Sequence, residues 1–209
     1  QLAKHKSYVS KPNDVVEAQV TLQLGVLVRN HVPLVDAIQE QRKAGTIQDI
    51  RDLAAWGLGD WEQLIAGQGI GTPPDIQGAT DAERAENYAK AICRAIEAAY
   101  PTAVVRAQLG HVQDPAPGTD VLLEFLDQNP DFELGTSQID NYVEEGIEDD
   151  RLEHLHTWDR LAKISPAYGR AGAMAGLKKA GFDSALSVAR VGYSSFVEAN
   201  SESMGGQAS

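Results

Sequence analysis

The chain has 209 residues, 43% of them apolar and only 6% aromatic, with a net charge of −12. That apolar share supports a sizeable core, and sparse aromatics with abundant alanine argue for helix packing over a β-sandwich. Eighteen basic against thirty acidic side chains, with no Lys/Arg cluster, argue against a nucleic-acid binder and against a protein held to anionic lipid.

The first ten residues are polar and lack a period, so they read as a tail. A helix follows from Asn13 or Asp14, with Val16, Val20, Leu24 and Leu27 on one stripe. Its β-branched centre leaves a strand as the alternative. A second helix enters through Pro33 and closes at Gly45, with Arg42 and Lys43 in its last turn. Thr46 is placed to cap a third, on which Ile47, Ile50, Leu53 and Ala54 share a face before Gly57 stops it. A short helix from Asp60 carries Trp61, Leu64 and Ile65. The Gly/Pro-rich stretch GQGIGTPPDIQGA then divides the chain, giving segments 1–72 and 73–209.

Thr80 and Glu83 have the spacing of a capping box at the start of a long helix. Ala85, Tyr88, Ala89, Ile92, Ile96 and Ala99 form its apolar stripe, and Pro101 ends it. The single cysteine, Cys93, sits in this run and reads as a small buried thiol; no internal disulfide is available. TAVVRAQLG reads as a helix and HVQDPAPGTD as a loop. DVLLEFLDQNP and SQIDNYVEEG read as short helices, and IEDDRLEHLHTWDRLAKISP as a longer one ending near Pro166. No stretch approaches the ~18 apolar residues of a membrane span. The expected fold is all-α: many short helices joined by Gly/Pro turns and organised as helix–turn–helix packing units.

RLEHLHTWDR, residues 151–160, raises the question of metal chemistry, because His154 and His156 stand two apart between Glu153 and Asp159. A metal-dependent hydrolase on these histidines is one alternative function. On a helix, however, residues i and i+2 point apart, and a zinc pair would be spaced His-x-x-x-His. Leu152, Leu155, Trp158 and Ala162 give the segment a helical stripe, so two separate histidines are expected, with no metal and no cofactor. GQGIGT lacks both the preceding strand and the Gly-Lys-Ser/Thr ending of a phosphate loop. EEGIEDD does not meet the calcium-loop pattern, and no Gly-x-Ser-x-Gly elbow is present. No catalytic residue is assigned.

One layout recurs. LAAWGLGDWEQLIA, LKKAGFDSALSVA and VARVGYSSFVEA each place a glycine (Gly57, Gly181, Gly192), an apolar residue (Leu58, Phe182, Tyr193) and a capping residue (Asp60, Asp183, Ser194) between two short helices. The glycine is expected as a left-handed C-cap and the third residue as the next N-cap. Trp61, Phe182 and Phe196 are the expected packing anchors. The layout is also similar to a helix-hairpin-helix, which binds nucleic-acid phosphates with help from basic neighbours. Lys178 and Lys179 are the one such pair here, so a stand-alone binding module for protein or nucleic acid is the other alternative.

From Pro73 to Leu109, PPDIQGATDAERAENYAKAICRAIEAAYPTAVVRAQL is followed by FLDQNPDFELGTSQIDNYV, by LHTWDRLAKISPAYGRAGAMAGLKKAGFDSALSVARVGYSSFVEA and by a closing MGGQA. Pro101-Thr102 after the long helix, Asn129-Pro130-Asp131-Phe132 and the Gly181-x-x-Ser184-Ala185-x-x-x-Ala189 turn come in that order. This succession resembles the N-terminal helical region of the A component of tripartite insecticidal toxin complexes (Tc toxin A-like, virulence-plasmid-type proteins). The resemblance covers residues 73–208; the earlier part shares only the WGLGDWEQLIAG turn.

The resemblance implies a non-enzymatic subunit that assembles into an oligomer and carries a toxic enzyme across a host membrane. This segment would belong to the helical shell of a secreted or cell-surface complex. Its partners would be other segments of a larger polypeptide and other copies of it, with no nucleic acid and with the membrane reached through other regions. A chain that opens on Gln1 and shows no signal peptide is expected to be a piece of something longer.

Overall fold

A computed structural model describes residues 12–67 and 69–200. The protein is all-helical, with no strand among the described residues. It divides into two compact units, residues 1–95 and 96–209. The first holds α1 (Pro12–Leu27), α2 (Val32–Lys43), a 3₁₀ turn (Ile50–Ala55), α3 (Leu58–Gly67) and most of α4 (Asp81–Ala99). The second holds α5 (Pro101–Gly110), α6 (Thr119–Gln128), a 3₁₀ turn (Ile139–Asn141), α7 (Asp149–Ile164), α8 (Arg170–Lys179), α9 (Ala185–Val191) and α10 (Tyr193–Asn200). The polar opening residues and the closing MGGQA lie outside the described residues.

In the first unit α1 packs against α2, with Leu24, Leu27, Leu34 and Ile38 buried. The turn between them runs through Arg29 and Asn30, both at φ 55°, and the Asn30 N–H donates to the Gly25 carbonyl at 2.6 Å. Tyr88 of α4 closes this turn, its buried hydroxyl donating to the Val28 carbonyl at 2.7 Å. Arg29 also pairs with Asp75 at 2.9 Å, and Asn87 donates to the Gln77 carbonyl at 2.9 Å. These bonds bring the Gly/Pro-rich stretch into the first unit. The units therefore part at Ala95/Ile96, within α4, while the sequence places its break at residue 72.

Thr46 caps nothing. Its N–H donates to the Gln41 carbonyl, and that of Gly45 to the Arg42 carbonyl, which closes α2. The next turn is opened by Asp49, whose carboxylate accepts from the Arg51 N–H at 2.8 Å. Asp52 reaches back to the N–H groups of Gln48 and Asp49 at 2.8 and 2.9 Å. With its cap three residues late, the segment has room only for a 3₁₀ turn.

In the second unit α7 packs on α6, α8 and α9, and α5 on α6 and α8. Leu122, Phe125, Phe132, Leu155, Trp158 and Met174 lie deep in this core. SQIDNYVEEG forms only one 3₁₀ turn. Ile139 is its sole fully buried residue, Glu144 and Glu145 are exposed, and Gly146 at φ 88° redirects the chain. A helix there would bury no continuous face, and a short helix without one is not sustained. Cys93 is half-buried, less enclosed than expected. No helix among the described residues is long and apolar enough to cross a membrane.

His31, at the N-terminus of α2, stands edge-on to Tyr88 with ring centroids 5.7 Å apart. Its buried Nδ1 has no hydrogen-bond partner. Burial holds its pKa below the usual imidazole value. The unfolded chain therefore takes up a proton that the folded chain resists, and stability falls as pH drops below about 6.5. Urea midpoints of the wild type should fall from about pH 7.5 to about pH 5.5, and His31→Phe should flatten that slope. Identical slopes in the two proteins would remove His31 as the cause.

Candidate functional site

Helix α7 carries both histidines of the segment 151–160. His154 lies against Gly118, the residue that precedes α6. A Cβ at Gly118 would stand 2.6 Å from Cγ and Nδ1 of the imidazole. Gly118 also has φ 75°, a left-handed conformation that a side chain resists. Its carbonyl accepts from the Trp158 indole N–H at 3.0 Å and from the Leu122 N–H at 3.1 Å. His156 faces elsewhere, with Nε2 3.3 Å from the Asp140 carboxylate. The two imidazoles therefore serve different neighbours. Among the described residues no three His, Cys, Asp or Glu side chains are grouped to hold a metal.

The flanking carboxylates also have separate tasks. Asp159 is buried; it accepts from the Gly135 N–H at 2.7 Å and pairs with Lys163 at 2.7 Å. Glu153 pairs with Arg160 at 2.6 Å, and that hydrogen bond holds its carboxyl below the usual range. Arg160 Nε donates to the Asp183 carbonyl at 2.9 Å, tying α7 to the entry of α9. Two further buried groups join distant segments. Thr102 donates its hydroxyl proton to Glu133 at 2.6 Å and accepts from the Leu134 N–H at 3.0 Å. Glu97 accepts from the Arg170 N–H at 3.0 Å, at the N-terminus of α8, where negative charge is favoured.

The three glycine turns differ from one another. Gly181, at φ 81°, closes α8: its N–H donates to the Lys178 carbonyl and that of Phe182 to the Leu177 carbonyl. That is the expected left-handed closure. The cap of α9, however, is Ser184 rather than Asp183, and it shares a reciprocal box with Ser187. Asp183 instead accepts from the Ser184 hydroxyl at 2.8 Å, which with Ser187 lowers its pKa. Gly192, at φ 80° and ψ 149°, separates α9 from α10, outside the left-handed helical region; its carbonyl accepts from the Phe196 N–H. Ser194 falls inside α10 and caps nothing, because the helix begins one residue earlier; the Tyr193 side chain lies outside the described residues.

Gly57 does not take a positive φ. It precedes α3, and its N–H donates to Asp60 at 2.8 Å, so Asp60 stabilises from within the first turn. Leu58 stays exposed rather than tucked under the turn.

At the start of α4 the Thr80 hydroxyl accepts from the Glu83 N–H at 3.1 Å. Glu83 reaches past Thr80 to the Ala79 N–H at 2.7 Å. Trp61 is fully buried and lies 4.7 Å from the ring of Trp56. Phe182 and Phe196 are half-buried and pack on each other at 5.5 Å. Of the basic pair beside the Gly181 turn, Lys179 is tied to Asp114 at 2.8 Å and Lys178 is half-buried, with its pKa pushed down by burial.

Gly118, Thr102 and Glu97 carry no local signal of their roles. Their partners stand 31 to 73 residues away along the chain or, for Gly118, on a helix the local sequence does not point to. Gly118→Ala should lower stability by at least about 2 kcal/mol, from the left-handed backbone and the imidazole together. Adding His154→Ala should restore the steric part and leave a cost of ~1 kcal/mol. Thr102→Val should cost about 2 kcal/mol by leaving the Leu134 N–H unsatisfied in the interior. Urea unfolding reads all three, and wild-type stability in either single variant would remove that joint.

No protein-family model, curated protein or solved structure matches the chain.

Proposed function

We infer that the chain is a non-enzymatic structural and interaction segment of a large toxin-complex subunit, part of the helical shell around a pore-forming, toxin-translocating component. The observation that carries this reading is the joint at Thr102. Pro101-Thr102 and Asn129-Pro130-Asp131-Phe132 are separate motifs of the resemblance, and Thr102 is hydrogen-bonded to Glu133 and Leu134 directly after the second motif. Pro101 opens α5, and Phe132 is buried between Phe125 and Tyr142. The Gly181 turn closes α8, and Phe182 directly after it packs on Phe196. Residues that carry the likeness therefore act by holding helices together, which is the work of a shell segment.

On this reading the chain contributes no chemistry of its own. It meets other segments of a longer polypeptide and further copies of the subunit, and membrane contact belongs to other regions. Immunoblotting of the source cells tests it. A native polypeptide several times heavier than 22.5 kDa is the expected result. A band near 22.5 kDa would overturn the reading and favour a stand-alone helical binding module.

A further inference from the structure

The acidic run EEGIEDD does more than solvate a surface. Together with α6 it encloses a cleft of about 640 Å³ in the second unit. That volume is within the ~300–1,000 Å³ range of sites that enclose a ligand. Its floor is apolar: Val121 and Phe125 from α6 and Leu155 from α7 lie beneath it. Half-buried Val143 and Ile147 form part of one wall. Above this floor stand Glu144, Glu145 and Glu148, all exposed. None of the three forms a close ion pair among the described residues, and only Glu148 lies near enough to Arg151 to be felt by it. The one cation of the cleft, Arg151, is taken by Glu124 at 2.6 Å. Charge and apolar surface are thus arranged in two levels, with the carboxylates on the rim.

We propose that this cleft binds a cationic, amphipathic segment of a partner protein, placing lysine or arginine side chains on Glu144, Glu145 and Glu148 and an apolar side chain between the Phe125 floor and the Val143–Ile147 wall. An anionic ligand or an anionic lipid surface would meet uncompensated like charge here. A bare cation would leave the apolar floor unused. The inference goes beyond the shell-segment reading and does not depend on it.

The probe is a short synthetic peptide of alternating lysine and leucine, labelled for fluorescence anisotropy and titrated with the whole chain at low salt. The triple variant Glu144→Gln, Glu145→Gln, Glu148→Gln should weaken binding by about tenfold or more, since it removes all three rim charges. A charge-matched control, Asp36→Asn, Asp131→Asn, Glu198→Gln, removes three exposed carboxylates elsewhere and should stay within about twofold of wild type. A lysine–serine peptide should bind the wild type clearly more weakly than the lysine–leucine one, a comparison that needs no variant to fold.

Equal losses in the two triple variants would mean general attraction to an acidic protein and would overturn the proposal. So would equal binding of the two peptides, or no binding at all. A parent polypeptide near 22.5 kDa would end the shell reading and leave this one standing.

Discussion

The second unit depends on two neighbouring residues of α7, Trp158 and Asp159. Each sends a polar group into the interior in a different direction. The indole N–H takes the carbonyl of Gly118, and the carboxylate takes the N–H of Gly135. Both partners are backbone groups of segments without regular structure of their own: the Gly135 N–H finds its acceptor in Asp159, and the Gly118 carbonyl gains a second donor beside the Leu122 N–H. The buried carboxylate is tolerable because Lys163, one helical turn later, supplies a countercharge. One helix thereby fixes the entry to α6 and the loop after it. The apolar stripe of Leu155, Leu161 and Ala162 then has defined surfaces to pack on.

The same device recurs at other joints of the chain. Thr102 holds the loop after α6 from the α5 side, and Asp159 holds it from the α7 side. Glu97 accepts from the open Arg170 N–H at the start of α8. In the first unit the Tyr88 hydroxyl does this for the turn after α1. Short helices bury little apolar area each, so they depend on tertiary contacts more than long ones do. A small number of buried polar side chains, each spanning a large sequence separation, gives such a fold its specific arrangement.

Periodicity makes the helices legible in the sequence because the apolar stripe that marks a helix is also the surface it buries. The stripe of α4 and that of α7 are cases in point. Caps are less legible, because neighbouring residues compete for one role. Thr46 yields to Asp49, and Asp183 to Ser184, since in each pair the later residue stands next to the first free N–H groups. SQIDNYVEEG reads as a helix only because the local sequence does not show that Ile139 alone is fully buried, with Tyr142 and Val143 only half-buried against the core. The joints at Gly118, Thr102 and Glu97 are invisible to local reading, because tertiary contact alone creates them. The histidine pair shows the converse: helical spacing by itself separates His154 from His156, as their different neighbours require.

The charge surplus is unevenly spent. Arg29, Arg42, Arg84, Arg106, Arg160 and Lys179 each stand in an ion pair. With eighteen basic side chains against thirty acidic ones, every such pair leaves the excess carboxylates elsewhere. Exposed pairs of this kind contribute only about 0–1 kcal/mol each, so they do not explain the fold. What they determine is where the surface remains negative. In the acidic wall of the cleft the only cation is already committed to Glu124, and three carboxylates stand together. Like charges gathered beside apolar surface are costly in the free protein and become favourable when a cationic partner arrives. Complementarity of that kind acts first on encounter rate and partner choice.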